Sequence, residues 1–307
     1  MTAVPAPLHA AAAAPSTAAT IELGRLEARR ALRSVPFWVG LAATGLYFTQ
    51  ATGGGEWQAQ TYQLVGTVAF GPVCAGIFIA AVMAASRDHV AELPLAEEAA
   101  LGADRRAVAH LVGVLAHVLV LVLVVAALAV VTRVEGGLWI GDAETRIDDA
   151  LHSPAELLQP ILAGAFAGAL GVAIGRATRL RVAAAVTGGL VWLLGSVVYW
   201  AWQGAPLRYL TALQAQPIEV DLPPGTLPAD VPGLQLSAPD QYQEVWRWVV
   251  VDQAMAAWHD LYLVALVIVF GGLAVRGRTG RAVAAIGGLL AIGAVVLQIR
   301  SVPVPPR

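Results

Sequence analysis

Seven stretches of this chain could cross a bilayer, and they constrain its fold more than any motif does. They are Pro36 to about Gln50, Tyr62–Ser86, Ala107–Thr132, Leu157–Gly175, Val182–Trp202, Trp258–Val275 and Ala282–Ile299. Crossing a hydrocarbon core takes about 20 helical residues. The first stretch is short unless it extends towards Gly55. No central position in any stretch holds Asp, Glu or Arg, each of which would cost roughly 2.5–3.5 kcal/mol at mid-membrane. Composition agrees: 58% of residues are hydrophobic and only 13% are charged, against about a quarter charged in a soluble domain. The expectation is an all-α integral membrane protein of six to seven transmembrane helices, its membrane domain spanning 36–299.

The flanks add an interfacial helix. Residues 1–19 are mostly Ala, Pro, Ser and Thr and read as a disordered cytoplasmic tail. They lack the charged start and apolar core of a secretory signal. Residues 20–35 read as an amphipathic helix capped by Thr20 and stopped by Pro36. Ile21, Gly24, Ala28, Ala31, Leu32 and Val35 fall on one face, and Glu22, Arg29, Arg30 and Arg33 on the other. With Arg25, the arginines make this a basic helix of the kind that lies in the membrane interface. A plain topological anchor is the simpler alternative.

Arginine also sets the orientation. All 19 cationic side chains are Arg. With the N-terminus in the cytoplasm, Arg25, Arg29, Arg30, Arg33, Arg87, Arg105, Arg106, Arg176, Arg179, Arg181, Arg276, Arg278 and Arg281 lie inside. Only Arg133, Arg146, Arg208, Arg247, Arg300 and Arg307 lie outside. That bias follows the positive-inside rule. Aromatics fit the same frame, with Phe37 and Trp38 at the inner interface and Tyr47, Trp258 and Tyr262 among those at the outer one. An extracytoplasmic loop then covers about 203–257. Its first part is Pro-rich and expected to hold little regular structure. Its last part, Gln241 to Ala257, reads as a short helix on or in the outer leaflet. The short tail 300–307 falls outside if all seven stretches cross.

Residue usage also excludes chemistry. Without lysine the chain has no P-loop cation, so it cannot hydrolyse ATP as a P-loop enzyme. It also has no Schiff-base lysine to hold retinal. Its one cysteine, Cys74, leaves no intrachain disulfide and no Cys-rich metal site. Arg without Lys, with abundant Ala and Gly, is the usage of a GC-rich bacterial genome. The expected location is the bacterial plasma membrane.

Several segments, in order, resemble the ABC-2 type transporter permeases, the membrane subunits of ATP-driven exporters. ELGRLEARRALRSVPFWVG is similar to the elbow helix that leads into the first span. AAVMAASRDHVAELPLAEEAALGADRRAVAHLVGVLAHV is similar to the second span, its cytoplasmic loop and the third span. PILAGAFAGALGVAIGRATRLRVAAAV is similar to the small-residue fourth span and its basic turn. The seventh stretch departs from the family's six-span core. The resemblance implies ATP and Mg on a separate ATPase subunit, no cofactor on this chain, and a second permease chain, identical or related. It implies export of a lipophilic or amphipathic substrate. The partners expected are therefore the ATPase, the second permease and membrane lipids, with no nucleic acid.

In the family, the loop after the second span contacts the ATPase. Here that loop holds Glu92, Leu93, Pro94, Leu95, Glu97, Glu98 and Leu101. Pro94 can open a short helix, Gly102 can end it, and Asp104 can cap the next one. A connector helix with solvated charges is the plainer reading.

Other candidates are weaker. Gly164, Gly168, Gly171 and Gly175 suit close helix packing. His110 and His117 share a helix face. They could line a translocation path, but they read better as neutral imidazoles bonded to neighbouring helices, because no carboxylate accompanies them at a span centre. His152 and Glu156 have i,i+4 metal spacing, yet a solvated acidic face beside a helix start at Ser153-Pro154 explains them more simply. No metal site is expected. The alternatives to transport are an integral membrane enzyme and a structural or signalling membrane protein. The chain has neither G-x-S-x-G nor H-E-x-x-H.

Cysteine labelling in intact cells, with Cys74 replaced, checks the orientation. Ser237→Cys should react with an impermeant thiol reagent and Ala96→Cys should not; the reverse pattern rejects the orientation.

Overall fold

The computed structural model describes residues 17–52, 70–90, 102–134, 153–178, 182, 186–190, 210, 212, 218–221, 234–236 and 247–301. Eight helices are named here: α1 (Thr17–Ala31), α2 (Val35–Thr52), α3 (Phe70–Ala85), α4 (Arg87–Val90), α5 (Ala103–Val134), α6 (Pro154–Ala177), α7 (Gln253–Val275) and α8 (Gly277–Arg300). Three short strands precede α7: β1 (Ile218–Asp221), β2 (Leu234–Leu236) and β3 (Arg247–Asp252).

The chain is an α-helical, multi-pass membrane protein. Among the described residues, five helices are long and apolar enough to cross a bilayer: Gly71–His89, Ala103–Val134, Pro154–Ala177, Ala254–Val275 and Gly277–Arg300. Six to seven were expected from the sequence. The first stretch is a helix, α2, but Tyr47, Thr49, Gln50 and Thr52 dilute its apolar character. Most of Val182–Trp202 lies outside the described residues, as do Tyr62–Ala69 and residues Glu92–Leu101, where coupling to an ATPase was expected.

Helix ends differ from expectation where proline was misread. The elbow helix starts at Thr17 rather than at a Thr20 cap, so 17–19 are helical and not part of a tail. It ends at Ala31, and Pro36 does not stop it. Pro36 sits in the first turn of α2, where a missing N–H goes unmissed. Asp104 lies inside the first turn of α5 rather than capping it. By contrast, α6 opens as the sequence indicates. Ser153 accepts from Glu156 N, and the Glu156 carboxylate accepts from Ser153 N at 2.7 Å, with Pro154 following. This reciprocal capping box satisfies two otherwise orphaned donors. Glu156 is buried there, and not part of a solvated face.

The long loop carries a sheet. Strand β3 pairs antiparallel with β1 (Ile218↔Val250, Asp221↔Arg247) and with β2 (Leu234↔Asp252, Leu236↔Val250). No helix spans Arg247–Asp252, contrary to the expectation for 241–257. The run Trp248-Val249-Val250-Val251 is aromatic and β-branched, which favours a pleated strand. The prolines at 223, 224, 228 and 232 fall in the sequence between β1 and β2, outside the described residues.

Helix α6 is the centre of the bundle, in contact with α3, α5 and α7. Its glycines permit this. A Cβ on Gly164 would sit 2.5 Å from Leu121 of α5. One on Gly171 would sit 2.6 Å from the Phe78 carbonyl oxygen and 2.8 Å from the Ala81 Cβ, both on α3. Around these contacts pack the buried side chains of Ile77, Phe78, Val82, Leu121, Phe166 and Leu170. Phe37, expected at the interface, is fully buried in the same cluster. Tyr262 is also buried, and its hydroxyl donates to the Leu210 carbonyl at 2.7 Å.

Helices α7 and α8 form a hairpin through a tight turn at Arg276 (φ 61) and Gly277 (φ 50). Gly272, Gly280 and Gly287 bring the two backbones together, and at the far end His259 meets Gln298 at 3.1 Å. Ile286, Leu289 and Ile292 of α8 remain exposed, as lipid-facing apolar side chains would be.

Gly171→Ala should destabilise the protein by about 1–3 kcal/mol, since the opposing atoms include backbone. Gly293→Ala meets nothing within 4 Å and should be neutral or stabilise by up to about 1 kcal/mol through helix propensity. Thermal unfolding in detergent checks both; equal melting temperatures would refute the packing role.

Candidate functional site

Arginines of α1, α4, α5 and α6, and Arg276 just after α7, meet in one polar belt. It begins on α1. The face of α1 that docks on α5 is Gly24, Glu27 and Ala31, at i, i+3, i+7 spacing. Its counterpart on α5 is His110, Gly113 and His117, with the same spacing. Glycine on each helix allows close approach. A Cβ on Gly24 would sit 2.8 Å from Val112, and one on Gly113 would sit 3.1 Å from the Glu27 Cβ. Contacts advance together, Glu27 beside Gly113 and Ala31 beside His117. Helix α1 therefore tracks along α5 for about two turns. Ile21, on the apolar face read from periodicity, is exposed, as are Leu32 and Val35 beyond the end of α1.

Glu27 is the hub. Its side chain is only 4% exposed, yet it carries the partners of a strong charge site. Arg30 of the same helix donates to it at 2.6 Å, and Arg87 of α4 donates to its second oxygen. His110 Nδ1 lies 3.5 Å from that oxygen. On the other side of the ring, His110 Nε2 lies 3.5 Å from Asp88. Asp88 in turn pairs with Arg106 at 3.4 Å. The imidazole thus stands between two carboxylates. Both distances suit ion pairing, but neither ring nitrogen has hydrogen-bond alignment. Burial pushes the Glu27 carboxyl up, but the His110 ring, the Arg87 charge and the Arg30 contact together bring it below the ordinary value of 4.5.

The belt continues to α6 and α7 through helix C-termini. The Arg176 carbonyl accepts from His89 at 3.1 Å and from the Arg276 guanidinium at 2.6 Å. The Arg176 guanidinium donates to the Ala274 carbonyl at the end of α7 and lies 3.7 Å from Asp104 of α5. Arginines of two helices thus cap each other's last turn, where cations are favoured.

The predicted residues divide clearly. His110 and His117 both lie in this region and are buried. His117 is the hydrogen-bonded imidazole expected, its Nε2 donating to the Ala31 carbonyl at 2.9 Å with Phe37 stacked 4.4 Å away. His110 differs, because carboxylates do accompany it, brought by α1 and α4 rather than by its own helix. Arg30 and Arg33 line a crevice beside the belt. Arg25 pairs on the surface with Glu22 at 3.4 Å, and Arg29 is exposed. Sequence reasoning missed Glu27 and Asp88. The matched i, i+3, i+7 patterns on α1 and α5 were the signal for Glu27; nothing local marked Asp88. Among the described residues, no group of three or more His, Cys, Asp or Glu could hold a metal ion.

No protein family, curated protein or solved structure matches the chain. Chemically, the belt can fasten an interfacial helix and a loop to the ends of four long helices.

Glu27→Gln should cost on the order of 1–3 kcal/mol, less than the full cost of breaking a buried pair, because Arg30 and Arg87 are partly solvated. Glu27 titrates low in the folded state, so its contribution is complete above about pH 4.5 and fades as pH falls through the lower folded value. The melting-temperature gap between wild type and Glu27→Gln, followed from pH 7 to pH 4, should be constant and then narrow. A gap that is absent at pH 7, or unchanged at pH 4, would refute the assignment.

Proposed function

We propose that this chain is the membrane-spanning permease subunit of an ATP-driven exporter, with ATP and Mg handled by a separate ATPase chain. Two such permease chains would enclose the path, and the cargo would be lipophilic or amphipathic. The observation that favours this reading is where the 91–101 segment is attached. Before it, Arg87 pairs with Glu27 and Asp88 with Arg106. After it, α5 carries Asp104, Arg106 and His110 into the same belt. A push on that segment would reach α1, α5, α6 and α7 through charge-assisted contacts rather than through a slack loop. That is what a coupling segment requires of its anchorage. In this reading the belt is cytoplasmic and the membrane is the bacterial plasma membrane.

Affinity-tagged chain extracted from native membranes in mild detergent should bring down an ATPase. ATP hydrolysis by that complex should rise with cargo in liposomes. The double variant Glu97→Arg/Glu98→Arg should reduce co-purification at least fivefold, or uncouple hydrolysis from export. Unfolding is not expected, since surface changes usually stay within about 0.5 kcal/mol. A chain that brings down no ATPase overturns the proposal. A double variant that behaves as wild type removes the coupling role of Glu97 and Glu98.

A further inference from the structure

Between α1, α3 and α5 lies a crevice of about 390 Å³ lined by both cationic and apolar side chains. Arg30, Arg33 and Arg87 line it against one carboxylate, Glu27. The Arg30 and Arg87 side chains are 59% and 43% exposed, while Glu27 lies beneath them. Each guanidinium has five N–H donors, and Glu27 takes only part of that capacity. Arg33 is exposed and has no ion pair among the described residues. The apolar part of its lining is Val35, Pro36, Ala80, Ala81, Met83 and Ala84. From Arg87 back to Ala80 is seven residues, about 10 Å of helix at 1.5 Å per residue.

We propose that this crevice binds an anionic phospholipid. Its phosphate would engage Arg30, Arg33 and Arg87, and an acyl chain would lie along the Ala80–Ala84 wall. The excess of guanidinium over carboxylate calls for an anion, and the forked donors match phosphate oxygens. The apolar wall calls for a chain attached to that anion, since a soluble phosphate would leave it bare. A zwitterionic lipid brings its own cation to an already cationic lining. The level fits as well, because Arg87 of the lining stands at the charged end of a candidate span, which is where headgroups lie. A lipid seated there would brace α1 against α3 and α5, whatever the chain transports.

Native mass spectrometry of the full chain in detergent, titrated with phosphatidylglycerol or phosphatidylcholine, tests this. Wild type should retain one phosphatidylglycerol with at least fivefold preference over phosphatidylcholine. Arg30→Gln/Arg33→Gln should bring retention down to the phosphatidylcholine level. Arg25→Gln/Arg29→Gln removes the same charge from arginines that do not line the crevice, and should retain the lipid. Ala84→Phe fills the wall and leaves every arginine, and should abolish retention. The proposal fails if wild type shows no preference. It fails if both arginine pairs lose binding equally, since attraction would then be diffuse, or if Ala84→Phe binds as wild type. Should the Arg30/Arg33 variant misfold, as judged by size-exclusion elution, the wild-type preference and Ala84→Phe decide the matter.

Discussion

A carboxylate that is only 4% exposed must be compensated, and the arginine-rich end of this protein is organised around that requirement at Glu27. Desolvation alone would favour the neutral acid. Three cationic or cation-capable groups arrive from three elements: Arg30 from α1, Arg87 from α4 and His110 from α5. Each arrival fixes an element. Remove the carboxylate and α1 keeps only small-residue contacts and the His117–Ala31 bond to hold it on α5. Asp88 and Arg106 extend the same arrangement by one more pair, so the α4 turn is fixed from both sides.

Deeper in the bundle, shape replaces charge. Helices in lipid gain little from burying apolar surface against each other, so close packing must hold them. The glycines of α6 supply it by admitting α5 and α3 to backbone distance. The two modes meet at the α6 C-terminus. There Gly175 packs on Val82 and Ala85, and Arg176, one residue later, joins the polar belt. Arg276 holds a positive φ, uncommon for a residue with a side chain. Its guanidinium bond to the Arg176 carbonyl ties that turn to the belt.

The opposite end is built differently. His259, Asp260, Gln298 and Gln159 are all buried, and each has a side-chain atom without a hydrogen-bond partner among the described residues. Among the described residues no arginine pairs with this group, so it lacks the dense charge pairing of the arginine-rich belt. The asymmetry parallels the arginine bias along the sequence: the end that concentrates cations is also the end where helices are tied to one another by charge.

Much of this was legible in the chain itself. Membrane class, the long helices α5 to α8, the helix start at Ser153-Pro154 and the close-packing role of the α6 glycines depend on local composition, periodicity and short-range bonds. The sheet was misread because Pro-rich flanks suggested irregular loop, while a run of three valines needed partners 14–16 and 30–32 residues upstream to show itself as β3. Helix α1 was recognised, with an apolar face and a charged one. In lipid, apolar side chains can face outwards, so periodicity gives two faces without saying which is buried. Glu27 is the sharpest case. Its partner Arg87 is sixty residues away, and its burial exists only once α1, α4 and α5 converge. The sequence determined which segments are helices and which end is cationic, since both follow from residue type. Only the tertiary structure decided which carboxylates those cations enclose, because that pairing is set by how helices distant in sequence pack.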